Sequence, residues 1–200
     1  MSIADYTTLQ SRVARWSGGS SDANFAEAVR EAIEMAEIDM DRMLWVHERI
    51  VRRIATFTAE YESLPEDCAR IISIKRIEGG AEVDQLRKAH PDAAPGLARA
   101  YSGNRPLFYA ETGAQVQLIP APTVDSPMRA RWVYYGFVPR LSDDTSCTAV
   151  LSTYPNVYLY TSLKHLAPFT DDPEGVAKWG ALSAEAIQTA NRAATMRSAA

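Results

Sequence analysis

The sequence predicts an α+β fold in which terminal α-helices form a helical bundle and a central antiparallel, β-rich insertion separates them. Three observations predict it. Apolar residues recur at helical spacing from Tyr6 to about Leu44 and again from about Tyr154 onward. Between Arg52 and Val138 the period changes to two, with β-branched and aromatic residues in short runs. No internal repeat and no low-complexity run long enough to be a linker interrupts the chain. The 200 residues are therefore expected to form a single domain, with 1–48 and 148–200 as the bundle and 49–147 as the insertion. A chain of this length buries a substantial core without staples.

The first helix is expected over Tyr6 to Trp16, with Asp5 as N-cap and Tyr6, Leu9, Val13 and Trp16 on one side. Ser17-Gly18-Gly19-Ser20-Ser21 ends it, and Asp22 is expected to cap a longer helix to about Leu44. In that helix Phe25, Val29, Ala32, Ile33, Ala36, Met40, Met43 and Leu44 share one arc, and Glu27, Glu31, Glu34, Glu37 and Asp41 share the opposite one. Two residues break the pattern: Asp39 falls in the apolar arc and Ile38 in the acidic one.

Strands follow, one from Arg52 to about Ala59 and one from Ala69 to Ile77, joined through the Leu64-Pro65-Glu66-Asp67 turn. Gly79-Gly80 leads to a short third strand, Glu82 to Leu86, and residues 88–105 read as a loop with a short helix. Pro106 to Ala110 and Ala114 to Ile119 flank Glu111-Thr112-Gly113 as a hairpin, and Met128 to Val138 is a long aromatic strand. Pro155 suits the first turn of a helix from Tyr154 to Phe169 that is apolar nearly all round. Asp172-Pro173 opens the last helix, with Val176, Trp179, Leu182, Ala186, Ile187 and Ala190 on one side and a tail from Arg192 to Ala200 expected to fray.

Bulk properties exclude several functions. A formal charge of −4 and a pI near 5.4 argue against a duplex-DNA coat or a polybasic membrane module. No apolar run approaches the roughly 18 residues of a membrane span. The opening Met1-Ser2-Ile3-Ala4-Asp5-Tyr6 lacks the regions of a signal peptide, so a cytosolic product is expected. Cys68 and Cys147 read as reduced core thiols, with a disulfide as the alternative.

The residues that carry chemistry do not converge. His47, His90 and His165 are far apart and match no zinc pattern, and no nucleophile elbow, P-loop or dinucleotide fingerprint occurs. His165, within the apolar helix, reads as a satisfied core or interface residue rather than a ligand, and His47 as solvated. Asp143-Asp144 and Asp171-Asp172 could ligate a metal only with oxygens from elsewhere, whereas turns and caps need only local N–H groups. Arg49, Arg52, Arg53, Arg70, Lys75 and Arg76 form the one basic concentration, read as a solvated face, with phosphate contact as the alternative. No catalytic, cofactor or metal residues are assigned. Ile38 among carboxylates and Asp39 among apolar residues suggest contact with a neighbouring subunit, because a buried carboxylate needs a partner.

The order of the parts resembles the head-to-tail adaptor (connector) proteins of tailed double-stranded DNA bacteriophages. The matching pieces run in register: D-Y-T-T-L-Q-S-R-V-A-R-W, the acidic helix N-F-A-E-A-V-R-E-A-I-E-M-A-E-I-D-M-D-R-M-L, A-T-F-T-A-E-Y-E-S-L-P-E-D, R-P-L-F-Y-A-E-T-G-A-Q-V-Q-L-I-P-A-P, Y-Y-G-F-V-P-R-L-S-D-D, and Y-P-N-V-Y-L-Y before D-D-P-E. The chain departs from that pattern around residues 88–105, where a Pro/Ala-rich stretch replaces a more regular helix. The resemblance implies a non-enzymatic virion protein of the neck, made in the host cytoplasm. It would form a homo-oligomeric ring, commonly of twelve copies, below the portal, extend the DNA channel without binding DNA specifically, and offer a docking surface to the tail. No cofactor and no membrane partner are expected. In this frame Glu27, Glu31, Glu34 and Asp41 are expected to face the channel, where carboxylates repel phosphates. The C-terminal segment, with Met196 and Arg197, is expected to meet the portal. A related neck or tail-completion protein is the alternative, and a small enzyme with a dispersed site a remote one.

Overall fold

In the computed structural model, which describes residues 3–19 and 23–198, the chain is α+β and divides into two compact units. One unit combines residues 3–49 with 137–198 and is helical; the other spans Ile50–Gly136 and holds the strands. The helical unit takes the segment after the last strand, residues 137–147, which the sequence reading placed in the insertion. The reasons are both apolar and polar: Val138 and Leu141 bury their side chains in the helical core, and their backbone N–H groups donate to carboxylates of the second helix, at 2.6 and 2.9 Å.

Helix α1 (Tyr6–Trp16) begins where expected, its Thr8 N–H donating to the Asp5 carboxylate at 2.7 Å. Helix α2 (Ala23–Met43) follows, and its expected cap Asp22 lies outside the described residues. After a short α3 (Ala94–Ala100) in the strand unit, the helical unit resumes with α4 (Ala149–Thr153), α5 (Pro155–Leu166) and α6 (Pro173–Ser198). α5 packs against α1, α2 and α6 and buries Val157, Tyr158, Leu159, Leu163 and Leu166, which is why it is apolar nearly all round. The buried hydroxyls of Thr161 and Ser183 meet at 2.7 Å and satisfy each other across α5 and α6.

Asp172 caps α6, accepting the Gly175 N–H at 2.8 Å, and a Cβ at Gly175 would collide with that carboxylate. Asp171, at φ 51°, makes the left-handed turn that precedes it. Asp143 and Asp144 are exposed in a turn between Ser142 and Thr145. Both acidic pairs are thus local turn and cap devices. Contrary to the expected frayed tail, α6 stays helical to Ser198. Its Ala194 is buried, and the Ala194 carbonyl accepts from His47 Nε2 at 3.0 Å, so His47 is not freely solvated.

The strand unit contains two four-stranded sheets among the described residues. The first runs β1 (Ile50–Phe57), β8 (Met128–Gly136), β3 (Cys68–Glu78), β4 (Ala81–Gln85) in spatial order. The second runs β2 (Tyr61–Ser63), β7 (Gln115–Ile119), β6 (Phe108–Thr112), β5 (Arg87–Lys88). One core joins them, with Phe57, Ile74, Met128, Trp132 and Tyr134 from the first sheet and Tyr109, Val116 and Leu118 from the second. β8 shows why: Met128, Ala130, Trp132 and Tyr134 are buried, and the residues between them are not. The expected all-antiparallel insertion is corrected at one pair, β5 with β6, which is parallel.

Tyr134 donates its hydroxyl to Asp67 Oδ1 at 2.9 Å, and burial followed by that carboxylate pushes its pKa up to about 12. Tyr134→Phe is expected to destabilise the strand unit by about 1 kcal/mol in denaturant titration. A change below a few tenths would show that Arg53, 3.2 Å from Asp67, holds that carboxylate unaided.

Candidate functional site

The candidate site is a set of surfaces on the helical unit, and α2 organises them. Glu27, Glu31 and Glu34 are exposed, with Glu27 bonded to Arg30. The expected stripe is narrower than its sequence arc, because Glu37 and Asp41 are buried. Asp41 accepts from the Val138 N–H at 2.6 Å and pairs with Arg140 at 2.7 Å and Arg49 at 3.6 Å. Glu37 accepts from the Leu141 N–H, and Arg140 approaches its second oxygen at 3.9 Å. Both acids are therefore withdrawn from solvent to fasten the chain where it leaves β8.

Burial pushes the Glu37 carboxyl up to about 7, against the lowering effects of the Leu141 N–H and Arg140 and with a smaller raising effect from Asp41. Its Oε2 has no hydrogen-bond partner among the described residues, nor has the buried Tyr158 hydroxyl, which burial and then the Glu37 charge raise further.

Arg49 corrects the expectation of a solvated basic face. It is buried and donates to the carbonyls of Met40 at 2.7 Å, Leu44, and Asp41 at 3.3 Å, closing the C-terminus of α2. Asn191 of α6 completes that end by accepting from the Trp45 N–H at 2.7 Å and donating to the Met43 carbonyl at 2.8 Å. Nothing local in the sequence signals either role, since both partners are distant or beyond the helix end.

Asp39 finds its partners inside the chain: Lys164 at 2.8 Å and His165 at 2.7 Å, both on α5. Burial raises its pKa, but the hydrogen bonds from Lys164 and His165 outweigh this and leave it lowered. A neighbouring subunit is thus not needed to satisfy it. Ile38 is half-buried. Asp39→Asn is expected to cost about 1 kcal/mol, mostly at neutral pH, in thermal unfolding monitored by helical signal.

At the far end of α6 Met196 is 74% exposed, and Arg197 lies 3.9 Å from Glu48. Cys68 is half-buried, its thiol pushed up to about 11 by burial and then by Asp67 and Glu111. Cys147 is exposed rather than in the core, and both thiols are free. Among the described residues no group of three or more His, Cys, Asp or Glu is placed to hold a metal.

A family model described as SU10 adaptor protein matches residues 4–200, spanning both units. The chain belongs to the SU10 adaptor protein family. None of the curated proteins matches the sequence. Membership bears out the resemblance to phage head-to-tail adaptors and points to a structural, non-enzymatic protein. An SU10 adaptor is implied to meet portal and tail proteins at the virion neck. No helix among the described residues is long and apolar enough to cross a membrane.

Proposed function

We propose that this chain assembles as a homo-oligomeric ring of twelve copies between the portal and the tail, extending the channel through which the genome passes. The family match from residue 4 to residue 200 carries the reading. Charge supports it. The helical unit, with its sequence of 15 acidic against 10 basic residues, is the acidic part of the chain. An acidic wall repels phosphates, so DNA slides past it without specific binding.

In this reading the C-terminal end of α6 meets the portal. Met196, apolar and exposed at that end, is the residue that gains most from a covering partner. The test is co-sedimentation with the purified cognate portal. Wild-type chain is expected to pellet with the portal, and Met196→Glu to stay in the supernatant at least tenfold more, with unchanged helical signal. Equal capture of both would remove Met196 from the portal surface, and no capture of wild type would overturn the adaptor reading itself.

A further inference from the structure

The outer face of the first sheet carries a row of cations around an exposed apolar residue. Arg129, Arg131, Val133 and Tyr135 alternate with the buried residues of β8 and so share the face turned away from the core. Register brings Ile54 of β1 and Lys75 of β3 opposite Arg131, Thr56 opposite Arg129, and Arg52 opposite Val133. Arg52, Ile54, Lys75, Arg129 and Arg131 therefore lie together.

One carboxylate, Glu82 of β4, sits among them. Lys75 reaches it at 3.0 Å and Arg131 also bonds it, and its pKa is lowered first by Lys75 and further by Arg131 and Arg52. That uses two of the four cations. Arg52 and Arg129 form no ion pair among the described residues. Ile54 is 50% exposed and lines a shallow depression of about 360 Å³ with Ile77, Glu82, Arg129 and Arg131.

The complement is on α2. Glu27, Glu31, Glu34 and Ile38 stand at i, i+4, i+7 and i+11, one row along the helix, and Met35, 48% exposed, lies beside it. Helical rise sets those carboxylates about 5–6 Å apart, and strand geometry sets the cations about 5–7 Å apart. The two faces thus match in sign and spacing, and each embeds apolar side chains that charge alone does not explain.

We propose that the two faces meet between copies, the basic sheet face of one copy seating the acidic row of α2 of the next. The inference rests on the ring reading and deepens it, and it assigns Glu27, Glu31 and Glu34 to a subunit boundary rather than to the channel wall. The contact is heterologous, as a closing ring requires. Each exposed ion pair contributes about 0–1 kcal/mol, so several must act together with Ile54, Met35 and Ile38, and the contact weakens with salt. Glu82 and Ile54 at the centre of the sheet face favour an amphipathic protein surface over a phosphodiester.

The test uses two full-length variants, R52E/R129E and E27K/E31K/E34K, both changed only at exposed residues. Each alone is expected to occupy the cognate portal at least tenfold more weakly than wild type. Their equimolar mixture is expected to recover, because each reversed face then finds an opposite partner on the other variant. Full ring formation by either variant alone, or a mixture as defective as its parts, would overturn the inference. So would binding of a DNA duplex by wild type that R52E/R129E abolishes while ring formation stays intact. If wild type fails to reach the portal, the adaptor reading fails, and portal-free sedimentation at low ionic strength decides this one. A heavier species in the mixture than in either variant supports the contact, and none refutes it.

Discussion

Replacing Arg49 with methionine is expected to destabilise the helical unit by about 3–5 kcal/mol. The side chain is fully buried, donates to three carbonyls at the end of α2, faces the Asp41 carboxylate at 3.6 Å and lies over the Trp45 ring at 5.4 Å. Methionine fills much of the volume and donates nothing. The last carbonyls of α2 then lose their donors, and Asp41 keeps only Arg140 and the Val138 N–H. Lysine retains the charge, but one ammonium cannot span three carbonyls as a planar fork does, so Arg49→Lys should fall between the two. Denaturant titration checks this as a shifted midpoint at unchanged slope. A loss below about 1 kcal/mol would contradict the role given to Arg49 here.

Glu37 gives the second large effect, and it depends on pH. Its carboxyl titrates near 7 in the native state because of burial, against 4.5 as the ordinary value. The native state therefore holds this proton more tightly than the unfolded chain. Its contribution is complete below about 4.5, declines as pH rises, and is lost once pH passes about 7. The loss is roughly 3 kcal/mol. Asp39 works in the opposite sense: its lowered pKa removes stability only as pH falls through the acid range.

Glu37→Gln isolates the first effect, since the amide keeps an acceptor for the Leu141 N–H and cannot ionise. The variant and wild type should be nearly equally stable at pH 4.5, and the variant more stable by about 2–3 kcal/mol at pH 8. An equal difference at both values would mean that Arg140, at 3.9 Å, keeps the native carboxylate charged throughout.

Periodicity made much of this fold legible. α1 spans the residues its apolar spacing and Asp5 cap indicate, and the longer strands fall within a few residues of the runs in which β-branched and aromatic residues alternate. The fold class follows from local pattern, which backbone geometry imposes directly. What escaped were side chains whose partners lie far along the chain. Glu37 and Asp41 sit on the polar arc of α2, yet residues 138–141 cover them, an event about one hundred positions away that helical period does not report. Asp39 in the apolar arc signals the need for a hydrogen-bonding or cationic partner, and Lys164 and His165 supply it from within the chain. The basic sheet face was partly visible: Arg129 and Arg131 alternate with Ala130 and Trp132, a period-two signal, but joining them to Arg52 and Lys75 required the register. Strands as short as β2 and β5 carry too few residues for any period to show.

Imaging the full-length chain mixed with its purified cognate portal shows whether the chain extends the portal as a ring. A ring of added density is expected coaxial with the portal, below it, built from repeated helical units around an open channel. Portal particles that remain bare at saturating concentrations of a folded chain would rule out the adaptor role.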